Sequence, residues 1–178
     1  MNKRFVLINI FVIFAFGFLV HGIYSWIPSF ITSIFPVNES LYEHLKLIFL
    51  SPVLGSTILY FIFRYKGIRI NNYAFGLLCS TMFNIILFYL IYLPVYYAYG
   101  ANLVVTLIIY FITICVSQYF NYLIIEMDDN HKLNIVSIIS IIVLIILQTY
   151  LTWNPADADF FRDPETNTYG IKDEKYMK

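Results

Sequence analysis

Five long apolar runs dominate this 178-residue sequence and limit what it can fold into. They span residues 5–27, 45–63, 73–93, 103–125 and 133–153, and charged or turn-forming residues separate them. A bilayer core takes about 20 apolar residues per helical span, and open sheet edges are not tolerated in lipid. The runs therefore predict an all-α integral membrane bundle of about five transmembrane helices, occupying residues 1–153.

The composition agrees with this class of protein. Hydrophobic residues make up 60% of the chain and charged residues 12%, whereas a soluble domain has roughly half and a quarter. The formal net charge is +0, so no overall basic character predicts binding to nucleic acid. We expect a multi-pass protein of the cell membrane, with the lipid bilayer as its main partner. If the chain also associates with protein, the partner is another membrane protein or a second copy of the same chain.

Lysine and arginine near the ends of the runs predict the orientation. Lys3 and Arg4 precede the first run, three cations lie within residues 64–69 after the second, and Lys132 lies between the fourth and fifth. All six fall on one side of a five-span bundle. Because cytoplasmic loops carry the excess of lysine and arginine, the N-terminus is predicted to be cytoplasmic and the tail, residues 154–178, to lie outside.

A polar segment follows the first run and reads Pro-Val-Asn-Glu-Ser-Leu-Tyr-Glu-His-Leu-Lys over residues 36–46. Ser40 followed by Glu43 is a capping box, and an acidic residue stabilises a helix N-terminus. Glu43 and Lys46 can also pair at i, i+3. Helix initiation alone is therefore one explanation of this segment.

The same segment also fits a binding site on the outer face. Glu39 and Glu43 share a helical face if the helix begins early enough to include Glu39, whereas His44 points about 100° away from Glu43. His21, just inside the outer end of the first run, is the natural partner, because intramembrane ionisable side chains usually face the bundle interior. Alternatively, His21 is a neutral histidine that forms a hydrogen bond between two helices. The predicted ligand-binding residues, for a cation or a polar lipid headgroup, are Glu39, Glu43, His44, His21, Asn38 and Lys46.

The sequence leaves catalysis open. It contains none of the common zinc-protease, nucleophile-elbow or phosphate-loop patterns, so no catalytic residue and no cofactor is assigned. A glutamate and histidine pair tuned by partial burial can perform acid-base chemistry, with Glu43 as base or ligand and His44 or His21 as its partner. Two other functions stay open: a non-catalytic accessory or scaffold subunit of a membrane complex, and a small transporter or channel subunit.

The tail changes composition after residue 153. Apolar side chains alternate with turn signals, which predicts that residues 160–171 fold back on the outer face beside residues 38–46. In that position the tail is a lid over the candidate site. We expect Arg162 to meet Glu39 or Glu43, and an acidic residue, Asp163 or Glu165, to meet Lys46 or His44.

Two parts of the chain resemble a family of small bacterial multi-span membrane proteins known only as a domain of unknown function. They are residues 36–46 and the tail stretches 163–166 and 169–171. The family hallmark reads Asn-Glu-Ser-Val-Trp-Glu-His-Leu-Lys, and Leu41 and Tyr42 depart from it. The resemblance implies the multi-span architecture over nearly the whole chain and supplies no activity. The hallmark positions that match most specifically are Asn38, Glu39, Ser40, Glu43, His44 and Lys46.

Overall fold

The computed structural model of the protein describes residues 2–171, with five long α helices. They are α1 Asn2–Trp26, α2 Leu41–Tyr65, α3 Tyr73–Tyr99, α4 Leu103–Ile125 and α5 His131–Trp153. Each is long and apolar enough to cross a membrane. Even the shortest, at 23 residues, reaches about 35 Å, which exceeds a hydrocarbon core of about 30 Å. The predicted all-α architecture with five helices of membrane-spanning length is confirmed.

Polar residues between the apolar runs set where the helices begin. The Ser40 hydroxyl accepts a hydrogen bond from the Glu43 amide at 3.2 Å, and Asn102 and Asn130 cap α4 and α5 through their side-chain oxygens. Such caps satisfy amides that have no partner within the helix. Because Ser40 is the cap, α2 begins at Leu41 and Glu39 lies before the helix. Glu39 and Glu43 therefore do not share a helical face.

The bundle interior is held by polar contacts as well as by packing. Asn9 of α1 donates to the Gln118 side chain of α4 at 2.9 Å, and Asn121 donates to the same oxygen at 3.1 Å. All three residues are buried. Lipid tails are as apolar as leucine, so hydrogen bonds and close packing rather than hydrophobic burial join helices within a bilayer. Many isoleucines and leucines accordingly face outward, for example Ile138, Ile142 and Ile146 of α5.

Two tyrosine hydroxyls fix the start of α2 between its neighbours. Tyr42 donates to the Gln148 carbonyl of α5 at 2.7 Å, and Tyr89 of α3 donates to the Leu41 carbonyl. The end of α1, the start of α2, the ends of α3 and α5 and the start of α4 therefore lie at one end of the bundle. We call this the tail end, because residues 154–171 follow α5 there.

The tail contacts the start of α2 and the end of α5. The Phe161 ring stacks on Tyr42 with ring centroids 4.4 Å apart. The Ile171 amide donates to the Thr152 carbonyl at 3.4 Å, and the Asn38 side chain donates to the Gly170 carbonyl at 3.2 Å. These contacts anchor the two ends of the segment 160–171. The predicted division of the chain at residue 153 stays a prediction, and residues 172–178 of the predicted tail lie outside the described residues.

The ion pairs predicted for the tail are wrong. Arg162 lies 3.8 Å from Asp159 within the tail itself. Asp163 accepts from the Glu165 amide and the Thr166 hydroxyl, so its carboxylate stabilises its own turn. Arg162 and Asp163 therefore interact with neighbours within the tail and not with α2.

Candidate site at the tail end of the bundle

Two histidines converge on one carboxylate at the tail end. His21, near the end of α1, places Nε2 3.3 Å from Glu39 Oε1, and His44, in the first turn of α2, places Nε2 3.6 Å from Glu39 Oε2. One candidate ligand atom from each residue lies within 4.8 Å of the others. Among the described residues, no other group of three histidine, cysteine or carboxylate side chains is this close. We call His21, Glu39 and His44 the trio.

The turn before α2 explains how Glu39 reaches both histidines. The Asn38 side-chain oxygen accepts from the Ser40 amide at 3.0 Å, which makes a tight Asx turn around Glu39. Ser40 is the N-cap of α2, so His44 lies one helical turn after this cap. The predicted partnership of His21 with this segment is therefore realised through Glu39, in the turn, and not through Glu43, in the helix.

A backbone hydrogen bond defines the tautomer of His44. Its Nδ1 lies 3.0 Å from the Ser40 carbonyl oxygen, and a carbonyl only accepts, so Nδ1 carries the proton. In a neutral imidazole the lone pair is then on Nε2, which faces Glu39 Oε2. Two acceptors facing each other at this separation are stabilised only by a cation between them, either a proton or a metal ion.

The electrostatics of Glu39 favour its charged form. The hydrogen bond with His21 lowers the pKa of Glu39 below its ordinary value, against partial burial, which acts in the opposite direction. The trio is also reachable from water, because the exposed fractions of the His21, Glu39 and His44 side chains are 46%, 38% and 26%. A carboxylate that is ionised, shared by two imidazoles and open to solvent is suited to bind a cation.

Glu43 and Lys46, the other charged candidates, form a separate buried pair. Lys46 Nζ lies 2.7 Å from Glu43 Oε2, and the two side chains are 0% and 1% exposed. The Thr152 hydroxyl donates to Glu43 Oε1 at 2.8 Å. Lys46 Nζ also contacts the Thr152 oxygen and two backbone carbonyls of the segment before α2, those of Ser33 and Phe35. These partners leave no side open for a ligand, and the geometry favours a role in joining α2, α5 and the preceding segment.

Asn38, the remaining predicted site residue, forms hydrogen bonds through both its side-chain oxygen and its side-chain nitrogen. Its oxygen makes the turn to Ser40, and its nitrogen holds the Gly170 carbonyl. Asn38 therefore positions Glu39 and ties the tail to the same turn, without facing the histidines itself.

A cavity of about 540 Å³ adjoins the trio. It extends between α1, α2, α3 and α4, and two residues of the tail, Pro164 and Glu165, lie at its rim. Its walls are mainly apolar and aromatic, and they include Phe14, Leu47, Ile48, Phe88, Leu107 and Tyr110. The wall residues of this cavity could not be identified from the sequence, because they do not differ from the apolar residues that face lipid.

The fold and this site together define a class of protein: a multi-pass helical membrane protein with a polar cluster and a cavity at one end. The chain belongs to a family of unknown function, DUF6512, whose model matches residues 1–171. This confirms the resemblance to an uncharacterised family. Comparison with curated proteins and with solved structures gave no match.

Proposed function

We propose that this protein binds a divalent cation of the zinc class through His21, Glu39 and His44. The observation that carries the proposal is the convergence of His21 and His44 on the Glu39 carboxylate, and the contact of His44 Nδ1 with the Ser40 carbonyl directs the Nε2 lone pair of a neutral His44 toward Glu39. His21 supplies a third donor on the other carboxylate oxygen. On the predicted orientation, the site lies at the outer face of the membrane.

The donor set and its spacing support zinc. Imidazole nitrogen and carboxylate oxygen bind zinc at about 2.0 to 2.2 Å, so neighbouring ligand atoms of a tetrahedral site lie about 3.3 Å apart. The separations from Glu39 to His21 and to His44 are 3.3 and 3.6 Å. The widest separation in the trio is at most 4.8 Å, and rotation of the His21 side chain, which is 46% exposed, closes it.

Three protein ligands leave one zinc position for another molecule. Sites of this kind bind a water or a substrate in the fourth position, in contrast to closed structural sites with four protein ligands. The trio borders the cavity, so the open position is available to a molecule held there. The function supported best is therefore ligand binding at a membrane-boundary metal site.

Zinc titration of the purified full chain tests the proposal. The protein carries Cys79→Ala and Cys115→Ala, so that thiols do not contribute, and is freed of metal by chelation in detergent. Isothermal titration calorimetry is expected to give one zinc ion per chain. His21→Gln, Glu39→Gln and His44→Gln each weaken binding by more than the about 10- to 100-fold that loss of an outer-shell partner produces.

His131→Gln is the matched control. His131 is the third histidine of the chain, and it is exposed at the start of α5, at the opposite end of the bundle. This variant is expected to bind zinc as the parent does. Equal zinc affinity in the three trio variants and in His131→Gln would overturn the proposal.

A further inference from the structure

The cavity beside the trio has a polar end and an apolar body. His21, Glu39 and His44 lie at one end, and the walls beyond them are the apolar and aromatic side chains of four helices. From His21 to Phe14 is seven residues along α1, or about 10 Å. One leaflet of the hydrocarbon core is about 15 Å deep, so the cavity extends through about two-thirds of a leaflet.

Exposed apolar side chains border one side of the cavity. Phe18 of α1 and Leu103 of α4 both line it, yet 53% and 73% of these residues are exposed. In a membrane, apolar side chains at this depth face lipid. An apolar molecule therefore has a route from the leaflet into the cavity between the end of α1 and the start of α4.

The charges at the polar end restrict which headgroup fits. Glu39 and Glu165 both border the cavity, so an anionic headgroup is repelled while the trio holds no cation. A bound zinc ion neutralises these two carboxylates and presents an open coordination position, which oxygen anions such as carboxylate fill. We therefore expect binding of an anionic amphiphile at this site to depend on the ion.

We propose that the cavity binds the apolar chain of one membrane lipid whose anionic headgroup coordinates the cation of the trio. This inference rests on the proposed cation site and adds the class of molecule that occupies its open position. The cavity volume, about 540 Å³, lies within the range of about 300 to 1,000 Å³ that ligand pockets have. The source of the ligand is the bilayer itself.

Photolabelling in proteoliposomes tests the inference. The full chain is reconstituted in phosphatidylcholine with a trace of a 16-carbon fatty acid that carries a diazirine in its chain. With zinc present, we expect mass spectrometry to find adducts on cavity residues such as Phe14 and Ile48. Chelation of zinc, or Glu39→Gln, is expected to remove most of these adducts.

Leu107→Trp and Ile112→Trp are the matched pair of variants on α4. Leu107 lines the cavity, and a larger side chain there fills it, whereas Ile112 is exposed on the outer surface. Cavity adducts are expected to be lost in Leu107→Trp and kept in Ile112→Trp. Thermal unfolding of both variants shows whether the bundle is intact, and Glu39→Gln, in a partly exposed turn, serves as the second test.

The two proposals fail in different ways. Zinc titration in detergent, without the fatty acid, reports on the cation site alone. If zinc binds to the trio but adducts form only on outward-facing residues such as Ile112, the lipid inference is wrong and the cation site is still supported. Cavity adducts that persist in full without zinc would overturn the role of the ion in holding the headgroup.

Discussion

Two glutamates four residues apart have opposite environments. Glu39 precedes α2, is 38% exposed and faces two histidines. Glu43 lies within α2, is 1% exposed and pairs with Lys46. The cap at Ser40 creates this difference, because it ends the turn and begins the helix between them. We therefore expect substitution of Glu39 to affect ligand binding and substitution of Glu43 to affect stability.

Lys46→Met is expected to destabilise the protein strongly. Removing one partner of a buried ion pair typically costs about 3 to 5 kcal/mol, because the other charge stays buried without compensation. Here Glu43 is left with no cation. Lys66→Met, at an exposed lysine after α2, is the control and is expected to change little. Unfolding of both variants in mixed micelles with increasing SDS measures the difference.

The double variant Glu43→Gln with Lys46→Met separates charge from packing. If the uncompensated carboxylate causes the loss, the double variant is more stable than Lys46→Met alone. A double variant that is less stable than the single one would contradict this explanation and assign the effect to the lost contacts with Thr152 and the two carbonyls.

Glu39 gives the metal-free protein a predictable dependence on pH. The hydrogen bond with His21 lowers the pKa of Glu39 from its ordinary value of 4.5. A carboxyl whose pKa is lower in the folded state contributes stability above its unfolded pKa, and this stability is lost as pH falls through the folded pKa. The ionisable groups nearby in the trio and cavity include His21, His44, Glu165 and Tyr92.

We therefore expect the parent protein to be more stable than Glu39→Gln between about pH 5 and 6, where Glu39 is ionised and His21 can carry a proton, with the difference shrinking as pH falls below about 4.5. Thermal unfolding in detergent with a chelator, measured for both proteins across this range, provides the comparison. A difference that stays constant from neutral pH to pH 3 would rule out the carboxylate as its source.

At the scale of elements, the tail depends on a glycine. Gly170 has φ of +56°, and a Cβ at this position would overlap the Thr152 carbonyl oxygen. Gly170→Ala is therefore expected to displace the tail from the end of α5 and to break the Asn38 contact with the Gly170 carbonyl. Hydrogen exchange of residues 160–171 in detergent is expected to become fast in this variant.

Gly100→Ala is the control for backbone strain alone. Gly100 has φ of +77°, but a Cβ there meets no atom within 4 Å. Both substitutions therefore place a side chain at a positive φ, and only Gly170→Ala adds an overlap. Protection of residues 160–171 is expected to persist in Gly100→Ala. Fast exchange of this segment already in the parent protein would instead refute the docked tail and its proposed role as a lid.

The helices could be predicted from the sequence, but the details of the site could not. Helix number depends on the length of each apolar run, which is a local property. The pairing of His21 with Glu39 depends on where α2 begins, and that is decided by the Asx turn of Asn38 together with the Ser40 cap. The cavity depends on packing among four helices, and residues such as Phe88 and Leu107 carry no sign of it in the sequence.

At the scale of the whole molecule, the charges separate into two groups along the bundle axis. Lys3, Arg4 and Lys132, together with the three cations of residues 64–69, belong to the end opposite the trio, given the alternating directions of the helices. The trio and the buried Glu43 and Lys46 pair lie at the tail end. Positive charges near span ends are retained on the cytoplasmic side during insertion, so the trio is expected to face outward.

Cysteine labelling in intact cells tests this orientation directly. In a background with Cys79→Ala and Cys115→Ala, single cysteines are introduced as Lys66→Cys and Thr166→Cys, both at exposed positions at opposite ends of the bundle. A membrane-impermeant maleimide is expected to react with Thr166→Cys in intact cells and with Lys66→Cys only after the cells are permeabilised, since the six cations are predicted to keep their end in the cytoplasm. The permeabilised sample also serves as the control that both cysteines are reactive. The reverse labelling pattern would show the opposite orientation, with the trio, its cavity and the tail at the cytoplasmic leaflet.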